Sequence, residues 1–88
     1  MELAKIKELL RRGMYSWPGW YPMYFRMADG EAMSFQAVED NWREIVRAHL
    51  RNETHSDWYI VDYDINWENT ELYCAQTNER IESAYGEP

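Results

Sequence analysis

The chain has few of the features that hold a small secreted or membrane protein together. Cys74 is the only cysteine among 88 residues, so no disulfide can form within the chain. This argues against a small secreted scaffold and for a reducing compartment. No apolar run approaches the roughly 18 residues that a membrane helix needs, and residues 1–7 lack the apolar core of a signal peptide. We therefore expect a cytoplasmic protein without a membrane partner.

Positive charge is also scarce, and the shortage is uneven along the chain. The net charge is −7. Residues 1–52 hold eight Lys or Arg against seven Asp or Glu, whereas residues 53–88 hold only Arg80 against nine acids. Such an acidic half repels nucleic acid and attracts a basic protein surface. The charge therefore predicts a protein partner rather than direct binding to nucleic acid.

Residues suited to catalysis or metal binding are few. The chain has two histidines and one cysteine, whereas a structural zinc site needs about four such ligands. Nothing in their spacing suggests a nucleophile held beside a base. Four acids offer oxygen ligands of the kind that Mg²⁺ and Ca²⁺ prefer, namely Asp62, Asp64, Glu68 and Glu71, but no calcium-binding loop surrounds them, so a solvated face is favoured. We expect no catalysis, no metal and no cofactor.

Apolar periodicity predicts a single α+β domain spanning residues 1–88. A helical period covers residues 2–12 and stops at Gly13, and a longer one covers 35–51 behind a Ser34 cap. Asp29-Gly30 is typical of a hairpin turn. The expected architecture is a small antiparallel sheet with the main helix, 35–51, packed on one face, and a short N-terminal helix. The predicted strands are 24–27, 31–33, 57–67, 71–75 and 80–85.

The stretch from residue 57 to residue 67 alternates between apolar and acidic side chains, which is typical of a half-buried antiparallel strand. It predicts an apolar face turned to the core and an acidic face turned to solvent. On the acidic face Asp62 and Asp64 would lie about 7 Å apart, close to twice the phosphate repeat of one nucleic-acid strand. The predicted apolar face is Tyr59, Val61, Tyr63, Ile65 and Trp67, and the other face is Trp58, Ile60, Asp62, Asp64 and Asn66.

Aromatic side chains exceed what a core of this size needs. Residues 15–25 alone hold six of them, and large exposed rings are typical anchors of protein interfaces. Acids and rings together predict a partner-binding surface. As the alternative, the surplus rings would be buried between copies of a homo-oligomer. The predicted partner-binding residues are Asp62, Asp64, Glu68, Glu71, Trp58, Trp67, Trp17, Trp20 and Tyr21.

The C-terminal stretch, Leu72-Tyr73-Cys74-Ala75-Gln76-Thr77-Asn78-Glu79-Arg80-Ile81-Glu82-Ser83-Ala84-Tyr85, resembles the tail of small uncharacterised proteins carried by phages and other mobile elements. The Ala28-Asp29-Gly30-Glu31 turn and the Ser34-Phe35 helix start are compatible with that group. The resemblance implies a host-defence inhibitor of the anti-CRISPR or anti-restriction kind, acting in the host cytoplasm on a nucleic-acid-handling complex. The alternative is a homo-oligomeric structural or accessory protein of a mobile element.

Overall fold

The fold combines helices with a small antiparallel sheet, as predicted. The computed structural model describes residues 1–16 and 19–85. Within them β2 is the centre of the sheet, because it pairs in antiparallel fashion with β1, β3 and β4. The elements in chain order are α1 (Leu3–Arg12), β1 (Tyr15–Ser16), β2 (Tyr21–Met27), β3 (Ala32–Met33), α2 (Phe35–Asp40), α3 (Trp42–Leu50) and β4 (Ile60–Ile65).

The helix ends follow the local chemistry of the sequence, with one correction. α1 ends at Gly13, whose φ of 92° suits glycine. The Ser34 hydroxyl caps α2 by accepting from the Ala37 N–H at 3.1 Å. The prediction of one continuous helix over 35–51 was wrong, because Asn41 separates α2 from α3. Its side chain donates to the Ala37 carbonyl at 2.8 Å, and its backbone, at φ −114° and ψ 29°, leaves the helical region.

The hairpin at Asp29-Gly30 is confirmed. Gly30 has a φ of 88°, and its N–H donates to the Met27 carbonyl at 2.9 Å. The preceding strand begins at Tyr21, three residues earlier than predicted. The aromatic-rich segment before it contains the short strand β1, whose Tyr15 pairs with Pro22 of β2.

A β-bulge in β4 corrects part of the predicted facing. Arg26 pairs with Asp62, but Met27 pairs with Ile60, so Val61 is an extra residue. Ile60 is therefore fully buried, whereas Val61 is 45% exposed. The predicted strand 57–67 is also shortened to Ile60–Ile65.

Beyond the bulge the alternation holds. Tyr63 and Ile65 lie on the same side of the sheet as their partners Phe25 and Met23. Tyr63 is nevertheless 37% exposed, so the expected burial of its side chain was wrong. Asn66 was expected on the exposed face but is only 3% exposed. Because the strand ends at residue 65, the alternation no longer decides where Asn66 lies.

The hydrophobic core lies between the inner face of the sheet and the helices. Phe25 of β2 stacks on Phe35 of α2 with ring centroids 4.4 Å apart, so α2 covers this face. The predicted strands 71–75 and 80–85 were wrong, because within the described residues they form only an isolated bridge between Tyr73 and Arg80. The other buried apolar residues include Ile6, Leu9, Met23, Met27, Met33, Val38, Ile45, Ile60, Cys74 and Ile81.

Candidate protein-binding surface

The outer side of the sheet carries the predicted acids. Side chains alternate along a strand, so the pairs Tyr24–Asp64 and Arg26–Asp62 lie on the side of β2 and β4 away from Phe25. A shallow hollow of about 330 Å³ on this side is lined by Arg26, Glu31 and Glu71, among others. We call Glu31, Asp62, Asp64 and Glu71, together with Arg26, the acidic face.

Arg26 links the two aspartates of the acidic face. Its Nε lies 2.6 Å from Asp62 Oδ1 and its Nη2 lies 3.1 Å from Asp62 Oδ2, so the two side chains form a bidentate ion pair. Its Nη1 lies 3.3 Å from Asp64 Oδ2. The hydrogen bond to Asp62 raises the pKa of Arg26; burial opposes this rise, and the charges of Asp62 and Asp64 add to it. All three side chains are about half exposed, so solvent screens the pair.

The acidic face keeps a negative excess in spite of Arg26. Its four carboxylates and one guanidinium give a formal charge of −3. Arg80 lies at the margin, since its backbone bridges to Tyr73, which lines the same hollow. Counting Arg80 still leaves −2. The face therefore attracts cationic groups, although its two aspartates are not free carboxylates.

The other predicted residues fall into different environments. Trp58 packs against the core, and Glu68 is exposed beyond the end of β4. Trp20 is 64% exposed and lines a groove of about 970 Å³ beside α1, together with Leu9 and Tyr63. Trp17 lies outside the described residues. Of the nine predicted residues, the acidic face brings together only Asp62, Asp64 and Glu71.

Tyr21 and Trp67, both predicted to bind a partner, lie together in a cluster with a third ring, that of Tyr85. Their ring centroids lie 4.6 Å apart, and Tyr85 lies 6.2 Å from Tyr21 and 6.3 Å from Trp67. We call these three residues the ring cluster. Tyr85 was not predicted, because nothing in its local sequence shows that the chain returns to the end of β4. A hydrogen bond between Tyr21 and Tyr85 raises the pKa of the Tyr85 hydroxyl.

His49 and Cys74 make contacts that support the fold. His49 Nε2 accepts from the Ile60 N–H at 3.0 Å, and its ring stacks on Tyr59 with centroids 4.2 Å apart. Cys74 is buried, and its Sγ accepts from the Ser34 N–H at 3.4 Å. Burial raises the pKa of the Cys74 thiol, but hydrogen bonds involving Ser34 and Thr77 outweigh that effect and lower it. Over residues 1–16 and 19–85, no group of three or more His, Cys, Asp or Glu could hold a metal ion.

The chain matches no protein-family model, no curated protein and no solved structure. None of the helices in the described part of the chain is long and apolar enough to cross a membrane. The charge and geometry of the exposed surface are therefore the basis for assigning a function.

Proposed function

We propose that this chain is a non-catalytic protein-binding module whose acidic face docks on a basic surface of a partner protein. One observation carries the proposal: an exposed sheet face holds four carboxylates around a single arginine. Clustered charge of one sign steers an oppositely charged partner into contact and disfavours partners of like charge. The charge of residues 53–88 adds to this attraction at longer range.

The ion pairs of Arg26 favour binding by fixing the carboxylates in advance. Asp62 and Asp64 project from one strand two residues apart, and both contact the same guanidinium. Side chains that are already oriented lose less conformational entropy when a partner binds. Arg26 therefore reduces the charge of the face but gives it a defined pattern.

We further propose that the partner is a nucleic-acid-handling complex and that the chain inhibits it from the host cytoplasm. A strand spaces Asp62 and Asp64 by about 7 Å, which is close to two phosphate repeats of a nucleic-acid strand. A basic channel that tracks phosphates would accept the same spacing of carboxylates. The resemblance to phage and mobile-element proteins favours an inhibitor of the anti-CRISPR or anti-restriction kind.

A comparison of matched charge variants tests this proposal. The wild type, Asp62→Lys/Asp64→Lys and Glu39→Lys/Glu53→Lys would each be used to capture proteins from a bacterial lysate at low salt. The two double variants change the net charge equally, but Glu39 lies on α2 and Glu53 in the loop after α3, and neither belongs to the acidic face. We expect one basic nucleic-acid-binding complex that the wild type and the control retain and the aspartate variant loses. Equal capture by all three proteins would overturn the proposal.

The homo-oligomeric alternative is favoured by a different observation. Trp20, Trp67 and Tyr85 are 64%, 45% and 56% exposed, and large exposed rings are often covered by another protein surface. In this case the rings would be buried between copies of the chain. Size-exclusion chromatography with light scattering over a hundredfold concentration range distinguishes the two functions. A dimer that Trp67→Ser disrupts supports the alternative, and a monomer throughout contradicts it.

A further inference from the structure

We propose that the ring cluster of Tyr21, Trp67 and Tyr85 is a binding site for the guanidinium group of an arginine side chain. The inference rests on the proposed function for the source of that arginine, a basic partner protein, but its chemistry can be tested without the partner. A cation is attracted to the face of an aromatic ring within about 6 Å of the ring centroid, and most strongly to tryptophan. No two centroids of the cluster are more than 6.3 Å apart, so one cation can lie within reach of more than one ring.

The ring arrangement suits a flat cation. Trp67 and Tyr85 are nearly parallel, at an interplanar angle of 10°, and Tyr21 is tilted by 54° to Trp67. Trp67 and Tyr85 remain about half exposed, so a side chain from outside can approach them. A guanidinium is planar and more weakly hydrated than an ammonium, so it stacks on rings at a lower cost in lost hydration.

The cluster is held in place before any ligand arrives. The Tyr85 N–H donates to the Trp67 carbonyl at 2.6 Å, and the adjacent Ala84 N–H donates to the Asn66 carbonyl at 2.8 Å. These two backbone bonds fix the segment carrying Tyr85 beside the end of β4. Tyr21 joins this pair through ring contacts, with its centroid 4.6 Å from that of Trp67 and 6.2 Å from that of Tyr85.

Charge selects a cation over a neutral apolar occupant. Glu68 directly follows Trp67, Glu82 precedes Tyr85 by three residues, and both acids are exposed. Residues 53–88, which supply two of the three rings, carry nine acids and one base. A cationic side chain at the rings therefore gains from the surrounding field, whereas a second copy of this acidic chain would be repelled.

A titration with two small probes tests the site directly. Nα-acetyl-arginine amide and its uncharged analogue Nα-acetyl-citrulline amide would be added to ¹⁵N-labelled protein while the Trp67 indole N–H and the Tyr85 amide are followed by NMR. We expect saturable shifts with the arginine probe at millimolar concentration and binding weaker by about threefold to fivefold with the citrulline probe. Equal effects of the two probes, or no shift with either, would overturn the proposal.

Two variants locate the binding. Trp67→Leu should abolish the saturable shift of the Tyr85 amide, whereas Trp20→Leu, which removes an exposed tryptophan outside the cluster, should leave it unchanged. A shift that persists in a folded Trp67→Leu protein would contradict the assignment, and Tyr85→Leu gives a second, independent test. Because no partner protein is present, failure of the titration refutes the arginine site alone, and failure of the charge-reversal capture refutes the proposed function alone.

Discussion

Asn66 and Asn69 exchange hydrogen bonds in both directions. The Asn69 N–H donates to Asn66 Oδ1 at 3.1 Å, and Asn66 Nδ2 donates to the Asn69 carbonyl at 3.0 Å. The same Nδ2 group also reaches the carbonyls of Ile81 and Glu82, at 3.2 and 3.1 Å. One buried amide therefore ties the turn after β4 to the C-terminal segment, which has little regular strand pairing of its own.

Replacing Asn66 by alanine should destabilise the fold by about 2–3 kcal/mol, because several buried backbone groups lose their partner at once. Urea denaturation measures this change. Asn69→Ala, at an exposed position, should cost less than about 1 kcal/mol. If the two variants unfold at the same urea concentration, Asn66 does not hold the segment.

His49 should make the fold less stable at acidic pH. Burial lowers the pKa of His49 below its ordinary 6.5, and the positive N-terminus of Met1 adds to the effect. The unfolded chain then binds more protons than the folded one, so the free energy of unfolding is highest above pH 6.5 and falls as the pH drops through the folded pKa. A series of denaturation midpoints from pH 8 to pH 5 measures this fall.

His49→Gln keeps an acceptor for the Ile60 N–H but does not titrate, so the His49 part of the fall should disappear. His55→Gln, which changes an exposed histidine, should retain it. An unchanged profile in His49→Gln would show that other groups cause the pH dependence.

Removing the cap of α2 should cost about 1 kcal/mol. The Ser34 hydroxyl satisfies the Ala37 N–H at the first turn, directly before Phe35, which stacks on Phe25. We expect Ser34→Ala to lower the thermal midpoint and Ser34→Thr, which keeps a capping oxygen, to remain near the wild type. Equal midpoints for the alanine variant and the wild type would contradict the role of the cap.

The sequence correctly predicted the features that depend on the conformational preferences of one or two neighbouring residues. The stop at Gly13, the cap at Ser34 and the turn at Asp29-Gly30 each depend on the conformational preference of one or two residues. The break between α2 and α3 at Asn41 was not predicted, because the helical period of apolar residues continues through it. Only the bond from the Asn41 side chain to the Ala37 carbonyl shows why the helix is interrupted.

The candidate site depends on contacts that the sequence does not encode locally. The charge of residues 53–88 indicated an acidic surface. The pairing of Asp62 with Arg26, however, depends on β2 and β4, which are far apart in sequence but adjacent in the sheet, and on the bulge at Val61 that sets their register. The ring cluster likewise joins Tyr21 to residues more than forty positions later. Composition could indicate surplus rings and acids, whereas only the topology shows which of them meet.

Neutralising Arg26 should strengthen the long-range attraction to a basic partner. Arg26→Gln leaves Asp62 and Asp64 without their cation, and because the ion pair is solvent-exposed its loss should cost at most about 1 kcal/mol of stability. We expect faster association at low salt, measured by surface plasmon resonance against the captured partner. Arg43→Gln makes the same charge change at an exposed position on α3 and should have a smaller effect. Slower or unchanged association of Arg26→Gln would mean that the carboxylates do not steer binding.

Binding through the acidic face is tested by the association rate of the wild type with the captured partner over a salt series, with Asp62→Lys/Asp64→Lys measured in parallel. If the acidic face meets a basic surface, the wild-type rate should fall steeply between about 50 and 500 mM salt, because added ions screen the attraction. The reversed variant should associate much more slowly at low salt and approach the wild-type rate at high salt. A wild-type rate that is independent of salt and unchanged by the double reversal would show that the acidic face does not bind the partner.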